Sequence, residues 1–297
     1  MTNVRSAITR NLPAPIRTIL RQAYFGLRQL GDRLHDHYDS TGKSSEPAQR
    51  PDGSTDVPAP PPSLVAFVGG HDFKRVGEVY RQHLINLAHL RPEHSVLDVG
   101  CGVGRVAVAL TRFLYPDSAY RGIDVTSSGI EWCRKQITSR YPNFRFEWCD
   151  VYNAVYNAAG KQRASTYRFP FDDYTFDLVF LTSVFTHMLP ADFERYVSET
   201  SRVLKPGGRC LATFFILNDE SKRLLETESN TQAFPHPMDG CRVADPSAPE
   251  AAVAYEEAAV RRCFEKFGFG EHAIYYGAWC GRSTFVDYQD MMVATRL

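Results

Sequence analysis

Charge imbalance and long apolar runs are both missing from this sequence. Its 34 Lys and Arg residues equal its 34 Asp and Glu residues, so the formal net charge is +0. Proteins dedicated to nucleic acids usually carry a basic excess, and this balance therefore argues against a nucleic-acid partner. No apolar run reaches the length of a membrane span, and the N terminus lacks the apolar core of a secretory signal. We therefore expect a cytoplasmic protein.

Paired cysteines and metal-ligand spacings are also lacking. The chain has 7 Cys, an odd number, and no two of them form a C-x-x-C pair. Such usage indicates free thiols in a reducing compartment rather than a disulfide framework. The sequence shows no Cys and His spacing typical of a metal site, and we predict no metal.

The N-terminal part of the chain differs in composition from the rest. Residues 13–37 carry apolar side chains at helical spacing and arginines on much of the other face, which predicts a basic amphipathic helix within residues 1–38. This helix could pack on protein, act as an organelle transit peptide, or contact an anionic membrane peripherally, at the inner membrane face. Residues 39–63 are rich in Pro, Ser, Gly and Asp and predict a disordered linker. The main domain is predicted at residues 64–297.

A short apolar strand followed by a glycine-rich turn lies at the centre of this domain. Val96–Val99 predicts a buried parallel strand, and Gly-Cys-Gly-Val-Gly at residues 100–104 then leads into a helical pattern. Glycine suits such a turn because it allows positive φ and close approach of the backbone to a ligand. The N–H groups at the start of the next helix point into the same crevice. A nucleotide-type site is therefore predicted at the carboxyl end of this strand.

Two further predicted strands end in an acidic residue. Tyr120–Val125 places Asp124 near its carboxyl end, about 24 residues beyond Gly100. This is close to the spacing at which a βαβ unit brings a carboxylate to a ribose. A carboxylate offers two acceptor oxygens to two ribose hydroxyls, and capping of the next helix is the alternative role. Phe144–Asp150 alternates like a third strand and ends in Asp150, which could also be an ordinary loop residue.

The remaining pattern continues the alternation of strands and helices. A Leu-Lys-Pro-Gly-Gly-Arg turn precedes the fifth predicted strand, where proline ends a helix and glycine reverses the chain. Residues 217–250 look irregular and predict a substrate lid. The other predicted elements are strands at Phe176–Leu181, Cys210–Phe215, Glu271–Tyr276 and Tyr288–Thr295, and a helix at Glu256–Phe267.

The glycine turn, with Asp98 two residues ahead of Gly100, resembles motif I of class I S-adenosylmethionine-dependent methyltransferases. The Leu-Lys-Pro-Gly-Gly-Arg turn is characteristic of the same family, and the resemblance covers residues 64–297. It implies an α/β fold with a Rossmann-like, doubly wound, mostly parallel seven-stranded sheet whose last strand is antiparallel. It also implies S-adenosyl-L-methionine as the cofactor.

The resemblance further implies roles for individual residues. In the family, the position of Asp150 accepts from the adenine amine, the next N–H (here that of Val151) serves a ring nitrogen, and the end of the fourth strand, at Thr182, faces the transferable methyl group. The predicted cofactor-binding residues are Asp98, Gly100, Cys101, Gly102, Gly104, Asp124, Val125, Asp150, Val151 and Thr182.

The chemistry of methyl transfer requires little from the protein beyond positioning. His187, just after the fourth strand, is the candidate general base because imidazole titrates near neutrality; a histidine bonded to backbone at a helix start is the alternative. The family's N-P-P-[YF] motif does not follow the fourth strand, which argues against DNA adenine or protein glutamine as acceptor. We expect a small-molecule, lipid or glycan acceptor, methylated at oxygen. Candidates for its pocket, unless they only pack, are Tyr275, Tyr276, Trp279 and Arg282.

Two other function classes stay open at this point. A nicotinamide-dependent oxidoreductase would share the strand, glycine turn and helix. However, the dinucleotide pattern G-x-G-x-x-G needs glycine where this chain has Arg105, and such an enzyme does not require Asp150. The third hypothesis is a non-catalytic, membrane-tethered binding module that has the same fold.

Overall fold

The computed structural model describes residues 57–67, 72–227 and 230–297. The helix predicted within residues 1–38 and most of the predicted linker lie outside the described residues. The described end of that linker contacts the domain, because Val57 is buried and helix α1 begins at Pro62. The predicted boundary after Ser63 therefore falls inside a helix, whose first residue is a proline, as is common in helices.

The helices surround a sheet-rich core. The helices after α1 (Pro62–Phe67) are α2 (Phe73–Asn86), α3 (Arg105–Leu110), α4 (Ser127–Cys133), α5 (Pro190–Val203), α6 (Asp219–Leu225) and α7 (Glu257–Lys266). The strands are β1 (Val96–Val99), β2 (Tyr120–Asp124), β3 (Phe144–Trp148), β4 (Phe176–Leu181), β5 (Leu204–Phe214), β6 (Ile216–Leu217), β7 (His236–Met238), β8 (Cys241–Val243), β9 (Val253–Glu256), β10 (Phe269–Tyr275) and β11 (Asp290–Arg296). In the part of the chain that the structure describes, every helix is too short or too polar to cross a lipid bilayer.

Seven strands form the central sheet in the order β10-β11-β5-β4-β1-β2-β3. Strands β1 to β5 pair with one another in parallel, whereas β11 runs antiparallel to both β5 and β10. The predicted doubly wound, mostly parallel sheet with an antiparallel last strand is thus confirmed. The order changes direction at β1, which lies between β2 and β4, and parallel sheets bind ligands at such a switch point.

Both faces of the sheet are covered by apolar side chains. All four residues of β1 are buried. Leu97 and Val99 belong to one hydrophobic cluster, whereas Val96 belongs to a second. This alternation follows from the two-residue period of a strand. A continuous apolar run such as Val96–Val99 is therefore what a central parallel strand requires.

The Leu-Lys-Pro-Gly-Gly-Arg stretch lies within β5 rather than ahead of it. Leu204 already pairs with β4, and the register shifts before pairing resumes at Arg209. Gly207, in the interruption, has a φ of 76°, which glycine adopts without steric cost. The prediction that this strand starts at Cys210 is wrong because the turn is a bulge between two paired parts of one strand.

The prediction that residues 217–250 are irregular is also wrong. They contribute to a second, four-stranded sheet in the order β6-β9-β8-β7. Helix α6 precedes β7 and begins with a capping box, in which Asn218 and Ser221 each accept from the other's backbone N–H. The strands of this sheet have only 2, 3, 3 and 4 residues, too few to show alternation in the sequence.

Candidate active site

A cavity of about 480 Å³ opens at the carboxyl ends of β1, β2 and β4. Its wall combines the glycine turn with residues from α2, from the β3–β4 connection, from the edge of the second sheet and from the loop before β11. The cavity lies at the switch point of the strand order, where α/β sheets bind ligands. It is therefore the candidate site for a cofactor and its reaction partner.

The glycine turn forms the part of this wall nearest to β1. Gly100 and Gly102 have φ angles of 81° and 53°. A Cβ at Gly100 would lie 2.4 Å from Cγ2 of Val184, so this position accepts no larger residue without a shift. The bare backbone of the turn consequently faces the cavity, as the sequence predicts.

Asp98 is buried at the end of β1, with 1% of its surface exposed. The hydroxyl of Tyr120 donates to Oδ2 at 2.5 Å, whereas Oδ1 has no hydrogen-bond partner among the described residues. Burial raises the pKa of the Asp98 carboxyl to about 8; the Tyr120 hydrogen bond opposes this rise, and nearby Asp124 adds to it. A buried polar atom without a partner is costly. This position therefore fits the cationic ammonium group of S-adenosylmethionine.

Asp124 connects the glycine turn to the end of β2. Its Oδ2 accepts from the N–H of Gly102 at 2.7 Å, and its Oδ1 accepts from the N–H of Thr126 at 2.7 Å and from the Thr126 hydroxyl. Burial raises the pKa of this carboxyl, and the hydrogen bonds from Thr126 and Gly102 oppose the rise. The carboxyl also lines the cavity, where a ribose hydroxyl can approach it.

Most of the predicted site residues line the cavity, but Gly104 and Asp150 do not. A Cβ at Gly104 would lie 2.6 Å from Cδ1 of Ile137, so this glycine serves packing beneath the turn. Asp150 faces the next connection instead, where its Oδ1 accepts from the N–H of Lys161 at 3.3 Å. Its adenine contact stays a prediction. The residues that line the cavity are Asp98, Gly100, Cys101, Gly102, Asp124, Val125, Val151, Thr182 and His187.

His187 ends a short 3₁₀ turn after β4, at Phe185–His187. Its Nδ1 lies 3.0 Å from the carbonyl oxygen of Glu250. Because a carbonyl only accepts, Nδ1 carries the proton of the neutral ring, and Nε2 presents a lone pair. Burial lowers the pKa of the imidazole, so the ring is neutral at pH 7. The two predicted alternatives are therefore compatible, since backbone bonding through Nδ1 leaves Nε2 able to accept a proton.

Other wall residues come from segments that the sequence does not mark. Tyr156, in the β3–β4 connection, has its hydroxyl 3.3 Å from Nε2 of His187. Asp287 also faces the cavity, and its Oδ2 lies 2.9 Å from Nε2 of His83 on α2. In the sequence, the signals that could have pointed to Tyr156 were the length of the β3–β4 connection and its Tyr and Asn content. For Asp287 the sequence offers none.

The four aromatic and basic candidates at the end of the chain do not line the cavity. Two of them belong to a buried network around Asp290, in which Nε1 of Trp279 donates to Oδ2 at 2.7 Å and Nη1 of Arg282 donates to Oδ1 at 3.1 Å. The guanidinium of Arg282 also lies 4.7 Å from the ring centre of Tyr276. The alternative prediction, that these residues only pack, is therefore correct for them. It is also correct for Tyr275, which packs against a core cluster.

The chain has sequence relatives among known methyltransferases. A family model described as a methyltransferase domain matches residues 97–212. Over 114 residues the chain is 39% identical to a phthiotriol/phenolphthiotriol dimycocerosates methyltransferase of Mycobacterium tuberculosis (strain ATCC 25177 / H37Ra), covering 38% of this chain and 35% of the relative. Over 120 residues it is 34% identical to a fatty-acid O-methyltransferase of Mycolicibacterium smegmatis, covering 40% and 36%. The matches span about a third of the length of these curated relatives.

A solved structure shares the fold. A crystal structure of a protein from Pyrococcus horikoshii OT3 aligns with a TM-score of 0.53 at 20% identity, covering 77% of this chain and 93% of that one. Together with the glycine turn and the unpartnered oxygen of Asp98, the match to a methyltransferase domain favours S-adenosylmethionine over a nicotinamide cofactor at this site. Residues 97–212 of the chain thus match the methyltransferase-domain family, and the sheet that they contribute to has the Rossmann-like fold of class I S-adenosylmethionine-dependent methyltransferases.

Proposed function

We propose that this protein transfers a methyl group from S-adenosylmethionine to an oxygen atom of a small-molecule, lipid or glycan acceptor. The observation that carries the proposal is the neutral imidazole of His187, which lines the same cavity as the glycine turn. The apolar wall residues near it, among them Val184 and Met188, favour a lipid or another apolar molecule. The names of the relatives support this class, since one of them is named for fatty acids.

The chain's own residues supply the parts of a cofactor site. Oδ1 of Asp98 would accept from the ammonium group, the turn at Gly100 and Gly102 would admit the cofactor backbone, and Asp124 would accept from a ribose hydroxyl. When bound, the cofactor supplies a methyl group on a sulfonium, which is an activated leaving group. The cavity then has to hold the acceptor oxygen in line with that methyl group.

Positioning and proton removal divide the catalytic work. Holding two reactants at near-attack distance lowers a barrier by roughly 7–11 kcal/mol. A hydroxyl acceptor also loses a proton, and Nε2 of His187 offers a lone pair in the wall that can take it. A positioned general base contributes roughly 10²–10⁴-fold to the rate.

Transfer of an isotope-labelled methyl group tests the proposal. Purified protein is incubated with S-adenosylmethionine that carries a ¹⁴C methyl group and with lipid, small-molecule and glycan fractions of a cell extract. We expect label in an acceptor. His187→Gln should lower kcat by roughly 10²–10⁴-fold and leave the Kd for S-adenosylmethionine unchanged by calorimetry. The matched control is His236→Gln, an exposed histidine on β7.

The failures of this experiment are informative in different ways. Absence of S-adenosylmethionine binding would reject the proposal at its first step. Binding without transfer to any fraction would instead favour the non-catalytic binding module. Transfer that is unaffected by His187→Gln would leave a methyltransferase that works by positioning alone.

We also propose that residues 13–37 contact a membrane surface. The sequence supports this with an apolar stripe and a face rich in arginine, which together favour anionic lipid. Deletion of residues 1–37 should reduce sedimentation with vesicles of phosphatidylglycerol and phosphatidylcholine, and vesicles of phosphatidylcholine alone should bind neither form well. The Kd for S-adenosylmethionine should stay the same. Equal sedimentation of the full chain and the truncated chain would reject this contact.

A further inference from the structure

Tyr156 and His187 form a pair of complementary hydrogen-bonding groups in the cavity wall. The Tyr156 hydroxyl lies 3.3 Å from Nε2 of His187, and the two ring centres are 5.2 Å apart at an interplanar angle of 84°. Because the Glu250 carbonyl fixes the proton on Nδ1, the hydroxyl of Tyr156 donates to the Nε2 lone pair. One side of the cavity thus presents a donor and an acceptor side by side.

Three segments that are distant in sequence hold this pair in place. Oδ1 of Asn153 accepts from the N–H of Tyr156 at 3.0 Å, and Nδ2 of Asn153 donates to the carbonyl of His187 at 3.3 Å. The N–H of Ala154 donates to Oε2 of Glu250 at 2.6 Å, while the carbonyl of Glu250 accepts from His187. The β3–β4 connection, the turn after β4 and the segment before β9 therefore form a closed ring of hydrogen bonds. Such a ring fixes the distance between the two groups.

A hydroxyl group matches this pair, whereas a carboxylate does not. An alcohol or phenol can donate its proton to Nε2 of His187 and accept from the hydroxyl of Tyr156 at the same time. A carboxylate only accepts, so its oxygen would face the lone pair of Nε2 and leave that position without a donor. Burial raises the pKa of Tyr156 to about 12, so its hydroxyl keeps its proton at neutral pH.

The charges around the cavity agree with a neutral acceptor. Among the described lining residues, the permanently cationic side chains are Arg75 on α2 and Arg105 at the start of α3, both beside the glycine turn. Five aspartates also line the cavity, among them Asp192 in the first turn of α5, a few residues after His187. A carboxylate acceptor would therefore meet another carboxyl group instead of an arginine fork.

Building on the methyl transfer proposed above, we propose that Tyr156 binds the acceptor and that Tyr156 and His187 together select the hydroxyl of an apolar alcohol or phenol over a carboxylate. The acceptor hydroxyl takes the place of Tyr156 at Nε2 and receives the Tyr156 hydrogen bond on its oxygen. Its O–H proton passes to Nε2 as the oxygen forms the bond to the methyl carbon. The electron pair of the broken carbon–sulfur bond stays on sulfur, which leaves S-adenosylhomocysteine as the second product.

A matched pair of acceptor series tests this selection. The probes are 1-dodecanol and 4-octylphenol, compared with dodecanoic acid and 4-octylbenzoic acid, each with S-adenosylmethionine carrying a CD₃ group. Mass spectrometry separates the methyl ethers of the first pair from the methyl esters of the second. We expect ethers at a kcat/KM at least tenfold above that of the esters. Tyr156→Phe should raise the KM for the hydroxyl probes about tenfold, change kcat less, and reduce the preference for ether formation.

The control is Tyr167→Phe. Tyr167 lies in the same connection and its buried hydroxyl donates to Sγ of Cys149 at 2.9 Å. It does not line the cavity. This substitution removes a buried hydroxyl of the same kind and should leave the KM for the hydroxyl probes and the preference for ethers unchanged. A KM change in both variants would mean that Tyr156 acts through the stability of the connection, which would overturn its role in acceptor binding.

Three outcomes separate this inference from the proposed function. Esters formed as efficiently as ethers, or a preference unchanged by Tyr156→Phe, would overturn the selection and leave the methyltransferase proposal standing. S-adenosylmethionine binding without methylation of any probe would count against transfer to apolar acceptors, and the selection would fail with it. Ether formation that depends on Tyr156 would support both.

A measurement without an acceptor tests the geometry directly. In protein labelled with ¹⁵N-histidine and bound to S-adenosylhomocysteine, the His187 signals are assigned by their loss in His187→Gln. We expect the Nδ1–H form of the neutral ring, and a shift of the Nε2 resonance in Tyr156→Phe but not in Tyr167→Phe. An Nε2–H form in the wild-type protein would overturn the proposal, because Nε2 would then have no lone pair to offer.

Discussion

Replacing Asp98 with Asn isolates the effect of the ionisable carboxyl that is buried at the end of β1. Asn keeps an acceptor for the Tyr120 hydroxyl, which lies 2.5 Å from Oδ2. The unpartnered Oδ1 becomes an amide that can face the cavity. The substitution therefore changes the charge of this position while its volume and its one hydrogen bond are retained.

The sign of the effect follows from the pKa of Asp98. Burial raises it to about 8 in the folded protein, whereas an unfolded Asp titrates near ~3.9. The folded protein thus binds this proton more tightly than the unfolded chain does. The resulting stabilisation is fully present below pH ~4 and is progressively lost as the pH rises through 8. The loss is about 1.4 kcal/mol per pH unit in this window, or about 2.7 kcal/mol between pH 5 and pH 7. Between pH 5 and pH 7, the free energy of unfolding of Asp98→Asn should therefore rise by that amount relative to that of the wild-type protein.

Urea unfolding at pH 5, 6 and 7 measures this difference in free energy of unfolding between the variant and the wild-type protein. Asp117→Asn, in an exposed loop, is the control and should differ from the wild-type protein by a constant amount. Saturating S-adenosylmethionine at pH 7 should stabilise the wild-type protein more than Asp98→Asn, because only the carboxylate pairs with the ammonium group. A difference between Asp98→Asn and the wild-type protein that does not change with pH would refute the view of Asp98 as a buried carboxyl held for a cation.

Two further substitutions examine the cofactor side of the cavity. Gly100→Ala and Gly207→Ala both place a side chain at positive φ, but only the Cβ at Gly100 meets a neighbour, Val184 at 2.4 Å. Gly207→Ala should cost about 1–2 kcal/mol of stability, Gly100→Ala should cost more because of its contact with Val184, and calorimetry should show weaker S-adenosylmethionine binding for Gly100→Ala alone. Asp124→Ala should weaken that binding by about 1.5–3 kcal/mol, and a loss well under half of one kcal/mol would remove its ribose contact.

The sequence could predict which residues meet around the glycine turn, because the signals on this side of the cavity are local in sequence. The apolar run Val96–Val99, the glycine turn and the acidic end of β2 are each complete within a few residues. The parallel connection between the strands then brings them to one edge of the sheet without further information. Asp150, two residues after β3, does not line the cavity, because its Oδ1 accepts from the N–H of Lys161 in the next connection.

The acceptor half could not be predicted because it depends on contacts between distant segments. The proton position on His187 is set by the carbonyl of Glu250, 63 residues away in the chain, and a carbonyl leaves no trace in the sequence. That carbonyl is placed by the second sheet, whose strands are too short for a periodic signal. Tyr156 is one of many tyrosines, and only the fold shows that it faces His187.

The loop before β11 shows how a buried ion pair supports the cavity from outside it. This loop carries Asp287, Tyr288 and Gln289 into the wall. Asp290 follows directly, and its carboxylate accepts from Arg282 at 3.1 Å while its side chain is fully buried. Burial raises the pKa of Asp290 to about 6; hydrogen bonds from backbone N–H groups and the charge of Arg282 oppose the rise.

Arg282→Met should therefore destabilise the protein by about 3–5 kcal/mol, since it leaves the carboxylate of Asp290 buried without its cation. The pKa of Asp290 should then rise further, so the loss should grow as the pH increases above 6, where the wild-type carboxylate is ionised beside Arg282. Adding Asp290→Asn removes the uncompensated charge and should restore most of the stability and abolish this growth with pH. Urea unfolding of the single and double variants at pH 5 and pH 8 measures both effects. If the double variant is no more stable than Arg282→Met, then Arg282 acts by packing on Tyr276, and the charge of Asp290 has no part in holding the loop.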